Sequence, residues 1–75
     1  MKFYTLSAVV KGEPVKIDRM FNTRNDAISY MFKYYDNHFI YGLEVKEEVS
    51  IDGDKHNVEY ICDHNDRFRV NRVTL

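Results

Sequence analysis

Apolar residues recur every three to four positions in only one stretch of this 75-residue chain, residues 22–37, and alternate every two nearly everywhere else. One helical window between two blocks of strand pattern leaves few folds open. A lone helix must bury its apolar stripe against a sheet, and the short turns between the strand runs make that sheet antiparallel. The element order reads β-β-α-β-β-β. This predicts a two-layer α+β fold, a five-stranded antiparallel sheet with one helix on one face, in a single domain over residues 1–75.

Within the helical window, Thr23 is a good N-cap. Asp26, three positions on, makes a capping-box-like partner and favours the positive end of the helix dipole. Ile28, Met31, Phe32 and Tyr35, with Ala27, form the apolar stripe, and Asn37 is the expected left-handed stop.

The flanking blocks pair as hairpins. Tyr4, Leu6, Ala8 and Val10 share one side of the first run, and Val15, Ile17 and Phe21 share one side of the second. With Gly12-Glu13 as the loop, Val10 meets Val15, Ala8 meets Ile17 and Tyr4 meets Phe21. Asp52-Gly53 is a strong two-residue turn because glycine tolerates positive φ. It sets Val45 opposite Tyr60, Leu43 opposite Cys62 and Lys46 opposite Glu59. A three-residue loop at His64-Asn65-Asp66 then sets Cys62 opposite Phe68, with residues 63–66 read as turn chemistry. A ubiquitin-like β-grasp begins with the same hairpin–helix order at similar length and is the alternative architecture. The turns at 52–53 and 64–66 instead make the last three strands a meander, which that fold lacks.

Composition narrows the function classes. The 44% hydrophobic and 31% charged fractions are those of a globular protein rather than a disordered tail. A net charge of −1 gives no general attraction to nucleic acid or anionic lipid. One cysteine forms no internal disulfide, no apolar run approaches the ~18 residues of a membrane span, and "MKFYTLSAVV" is too interrupted for a signal peptide. A cytoplasmic location is expected.

Motif chemistry is sparse. Cys62 and His64 resemble a thiol and its base, but a buried cysteine beside a loop histidine is the better reading. His38, His56 and His64 lack zinc-site spacing, and "DGD" lacks the acidic alternation of a calcium loop. No phosphate-loop, dinucleotide or nucleophile-elbow motif occurs, so neither an enzyme nor a cofactor is expected. The acids on the third and fourth strands read as a solvated hairpin.

Charge distribution carries more content. Residues 44–66 hold eight acids against Lys46 and Lys55, a net −6, whereas Arg67, Arg69 and Arg72 follow with no acid after them. A single helix also leaves one sheet face uncovered. Phe3, Thr5, Ser7, Val9, Lys16, Asp18, Met20, Ile40, Glu44, Lys46, Glu59, Ile61, Arg67, Arg69 and Val73 are assigned to it, and Tyr30 and Tyr34 to a second patch on the helix. Apolar residues mixed with arginine suit an interface. The chain is therefore expected to be a small non-enzymatic protein–protein interaction module. Its size and its Asn, Asp, Tyr and Ile content match a phage- or mobile-element-encoded inhibitor or regulator of a larger host protein. Ile61, Arg67 and Arg69 are the expected contact centre, with Val9, Met20, Ile40, Lys46 and Glu59 around them. Two alternatives stand beside it. One is nucleic-acid binding, with Phe3 stacking on bases and Lys16, Arg67 and Arg69 on phosphates. The other is a structural homo-oligomer joined through an exposed edge strand.

Gly53 tests the central turn. Gly53→Val is expected to lower stability by about 1 kcal/mol or more, because a β-branched residue resists positive φ. Urea titration measures it.

Overall fold

The computed structural model describes residues 1–75. Its elements are β1 (Lys2–Val10), β2 (Glu13–Val15), β3 (Met20–Phe21), α1 (Arg24–His38), β4 (Val45–Ile51), β5 (Asp54–Cys62), a short 3₁₀ turn at Asp63–Asn65, and β6 (Arg67–Thr74). The sheet is antiparallel throughout, in the order β2-β1-β6-β5-β4, and β3 also pairs with β1. β2 and β3 are two halves of one interrupted edge, so six strands fill the five expected positions. β4, β5 and β6 form the meander, which sets aside the β-grasp alternative. β1 closes against β6, and the two chain ends bond to each other, Leu75 N–H donating to the Met1 carbonyl at 2.8 Å.

Thr23 caps the helix as expected, its hydroxyl accepting the Asp26 N–H at 3.1 Å. The helix lies across β1, β3 and β6. Its buried row is Ala27, Met31 and Tyr35, spaced four apart. Phe32 stands one residue off that row and is exposed, a correction to the expected stripe. Asn37 is not the stop either. The helix continues to His38, whose ring stacks on Tyr34 at 4.1 Å, and ends at Phe39 in extended conformation.

The hairpins differ from expectation in instructive ways. The first turns at Lys11-Gly12, both at positive φ, so Ala8 meets Val15 and Val10 meets Glu13. Tyr4 nevertheless meets Phe21, because residues 16–19 lie opposite only two residues of β1. An even slide preserves the faces, and the core set is unchanged. The second hairpin turns at Asp52-Gly53 as expected, with φ of 53° and 74°. Beyond it, however, Ser50 meets Val58, leaving residues 55–57 extra on β5, and Lys46 is extra on β4 between Val45 and Glu47. Side-chain contacts mark the β5 insertion. Asp54 accepts the His56 N–H at 2.9 Å and bends β5, while Arg24 reaches from the helix to the Lys55 carbonyl. An odd insertion reverses faces, so Glu47 and Val49 join the open side while Glu48 and Ser50 turn to the helix side. Val45 therefore meets Cys62, not Tyr60, and the Leu43–Cys62 and Lys46–Glu59 pairs do not form.

The third hairpin loops at Asp63-His64-Asn65, with His64 and Asn65 left-handed. Tyr60 then meets and stacks on Phe68 at 4.8 Å, and Cys62 lies opposite Asp66 rather than Phe68. The loop has three residues as parity requires, but sits one position earlier than expected. That shift carries Asp66 out of the turn and into the core, 1% exposed. Its carboxylate accepts the Tyr35 hydroxyl from the helix and the Lys11 N–H at 2.8 Å from the first turn. Its carbonyl accepts the Cys62 N–H at 2.8 Å.

Residues 39–44 are irregular, and Phe39 and Tyr41 continue an aromatic stack from Tyr35, at centroid distances of 5.0 and 5.2 Å along the chain of rings.

Asp66→Ala leaves the buried Tyr35 hydroxyl and the part-buried Lys11 N–H without an acceptor and is expected to cost about 2–4 kcal/mol. Asp66→Asn is expected to cost less, since its amide can accept from Lys11 and donate to the Tyr35 oxygen. Tyr35→Phe should fall between them. Urea midpoints for the three variants check the order.

Candidate interaction site on the open sheet face

Strand register arranges the uncovered face as rows running across the sheet. One row is Glu47, Ile61, Arg67, Val9 and Pro14, and the next is Val49, Glu59, Arg69 and Ser7. A third holds Asn57, Asn71, Thr5 and Met20, and the last pairs Val73 with Phe3. Rows lie about 7 Å apart along the strands and residues within a row about 5 Å apart.

Five of the eight expected contact residues, Val9, Glu59, Ile61, Arg67 and Arg69, meet in the first two rows. Met20 shares the face at its far edge and is 69% exposed. Two do not belong. Ile40 lies in the irregular segment after the helix, fully exposed and outside the sheet. Lys46 is bulged out of the ladder, and its ammonium pairs with Glu44 at 3.2 Å and Asp63 at 3.3 Å, which raises its pKa. Glu44 leaves the open-face set with it. Pro14, on the same side of its strand as Lys16 by alternation, joins the face by pairing with Val9. Asn57 and Asn71 were also missed, and their facing side-chain oxygens are buried without a donor. Alternation with Val58 and Val70 gives their face, but only the β5–β6 register sets one opposite the other.

A groove of about 400 Å³ runs over this surface, lined by Ser7, Val9, Pro14, Glu59, Arg67 and Arg69 among others. One Glu59 oxygen lies 3.9 Å from Arg67 Nε and 4.0 Å from an Arg69 terminal nitrogen. Both separations exceed hydrogen-bond length, so Glu59 balances part of the charge without engaging the guanidinium donors.

At the opposite end, Tyr35, Tyr41, Gly42, Leu43, Glu44, Cys62, Asp63 and His64 line a cleft of about 230 Å³. Cys62 is buried, as its strand position predicts. Its thiol is pushed up to about 11, first by burial and then by the Asp66 and Asp63 charges, and its S–H points toward the Tyr60 carbonyl at 3.8 Å. His64 packs its ring on Tyr41 at 5.1 Å instead of approaching the thiol. A neutral thiol without a base is a poor nucleophile. The turn assignment holds for Asp63, His64 and Asn65, whereas Asp66 is a core residue. Tyr30 and Tyr34 are partly buried, Tyr30 against Phe21 at 5.6 Å and under Arg19. No helix is long and apolar enough to cross a membrane.

No protein-family model, curated protein or solved structure matches the chain.

Burial of Cys62 and Tyr35 weakens this fold at high pH. An acid whose folded pKa is raised holds its proton more tightly folded than unfolded, so its contribution is complete below the unfolded value and lost above it. For Cys62 that loss runs from 9.0 toward 11, and Tyr35, also raised, adds its loss above 10.0. The urea midpoint should hold to about pH 9 and then fall. In Cys62→Ala the fall should start only near pH 10, where Tyr35 begins to contribute.

Proposed function

We propose that this chain is a non-enzymatic protein-interaction module that docks its open sheet face on a larger protein and so inhibits or regulates it, in the manner of a phage- or mobile-element-encoded accessory protein. The observation that carries this is the pairing of Arg67 and Arg69 with Val9 and Pro14 around one groove on the face the helix leaves uncovered, with Ile61 opposite Arg67 on β5. Arginine stems cover apolar surface while their guanidiniums bind acids, and such residues dominate interface energetics. The acidic β4 and β5 edge would act chiefly on association rate and salt dependence. Nucleic-acid binding has less support: Phe3 lies two rows from Arg69, and the Lys16 ammonium is 3.6 Å from Asp18.

Affinity capture from the native host, with wild-type, Arg69→Glu and Tyr34→Ala baits side by side, tests the assignment. A protein partner should be retained by Tyr34→Ala and weakened on the order of tenfold or more by Arg69→Glu, with melting temperature nearly unchanged. Retention by Arg69→Glu with loss on Tyr34→Ala would move the site to the helix side. Recovery of nucleic acid in place of protein would favour the second reading.

A further inference from the structure

We propose that the groove floor at Ser7, Arg67 and Arg69 is a carboxylate-receiving site, taking an aspartate or glutamate side chain from an extended segment of the partner. This rests on the open face being the docking surface, and it names the chemistry of what docks there. Arg67 and Arg69 are two apart on one strand, so both project to the same face, about 7 Å apart. Ser7 stands opposite Arg69 on β1, and Glu59 stands opposite it on β5. The groove therefore has guanidiniums in the middle, a hydroxyl on one side and a carboxylate on the other.

Glu59 shows what the arginines select. Its oxygen sits almost equidistant from both guanidiniums, at 3.9 and 4.0 Å, yet makes no hydrogen bond with either. A strand-anchored side chain supplies charge from the flank but does not close to hydrogen-bond distance. A carboxylate arriving from outside has no such tether and can meet an arginine in bidentate geometry. The two arginines less Glu59 leave one net positive charge, which matches a monoanion better than a phosphate dianion. Shape points to a segment rather than a small molecule. Small-ligand sites enclose most of their ligand, whereas this groove lies open across β2, β1, β6 and β5. Val9 and Pro14 line it and Ile61 stands opposite Arg67, so the residues beside the acid should be aliphatic.

The test follows Ser7, Arg67 and Arg69 amide signals and the Arg69 Nε–H signal by NMR in the full chain. Three probes are titrated: a short Val-rich peptide carrying two glutamates, the same peptide with glutamines, and inorganic phosphate. The glutamate peptide should shift these signals, and the glutamine peptide should bind on the order of tenfold more weakly. Arg69→Glu should abolish the shifts. Glu59→Gln should tighten the glutamate peptide several-fold by removing the competing carboxylate, a sign opposite to that of a merely structural residue. Equal binding of both peptides, or weakening by Glu59→Gln, overturns the proposal. Phosphate binding as tightly as the peptide would make this a free-oxyanion site and also overturn it. Self-association in sizing chromatography that Arg69→Glu abolishes would make the occupant the acidic hairpin of a second copy, overturning the assignment to a partner. If Arg69→Glu abolishes partner capture while the glutamate peptide leaves these signals unmoved, carboxylate recognition falls and the docking face stands. If Arg69→Glu leaves capture intact, the docking face falls with it.

Discussion

A carboxylate removed from water needs partners for its charge, and Asp66 finds them on two separate elements. The Tyr35 hydroxyl comes from the helix and the Lys11 N–H from the first turn. Its own backbone closes the last hairpin on Cys62. Losing any one leaves the others as buried polar groups, so the helix, the β1–β2 turn and the β5–β6 turn are held together as a set. The aromatic sequence from Tyr35 through Phe39 and Tyr41 to His64 packs around this node. Buried polar residues of this kind favour one register over its neighbours more than they add net stability. Here two hairpin registers depend on one.

With the helix side occupied, the molecule is left with chemically unequal surfaces. Leu6, Ala8, Val10, Phe68 and Val70 are covered by Ala27, Met31 and Tyr35, and little of that face remains free near the sheet centre. The reverse of the same strands carries the arginines, a single close carboxylate and scattered aliphatics. Of the acids concentrated in residues 44–66, Glu47 and Glu48 lie on β4, the far edge, Asp52 and Asp63 lie in turns, Asp66 is buried in the core, and only Glu59 comes near the arginine pair. Neutralisation across the sheet is therefore partial. The edges differ too: β2 and β3 are short, interrupted and carry Pro14, while β4 is bulged and charged, both recognised means of discouraging strand addition.

Most of the fold was legible because period and turn chemistry are local. The helix start at Thr23, the Asp52-Gly53 turn and the identity of the core strands all follow from neighbours a few residues apart, whereas the Tyr4–Phe21 pair forms only because the irregular residues 16–19 offset the earlier first turn. That Val9, Glu59, Ile61, Arg67 and Arg69 share one face was legible for the same reason, since alternation on β1, β5 and β6 assigns faces directly. Lys46 and Ile40 were not. Lys46 leaves the ladder because Glu44 and Asp63 give its ammonium two carboxylates at once, and Ile40 belongs to a segment shaped by aromatic stacking rather than strand pairing.

What the sequence by itself determined is the kind of structure: one helix, antiparallel strands joined by tight turns, an apolar set shared by one face, and arginines on the other. Two-residue and 3.6-residue periods contain that much, because they depend only on which way successive side chains point. What only the tertiary structure decided is register and the residues that register exposes. Alternation is blind to an even slide, which preserves every face, so nothing local separates Cys62 opposite Phe68 from Cys62 opposite Asp66. The choice falls to a bond between Asp66 and groups 31 and 55 residues away, Tyr35 and Lys11. Because that carboxylate is buried where it must be paired, distant chemistry overrides the turn preference of its own neighbourhood.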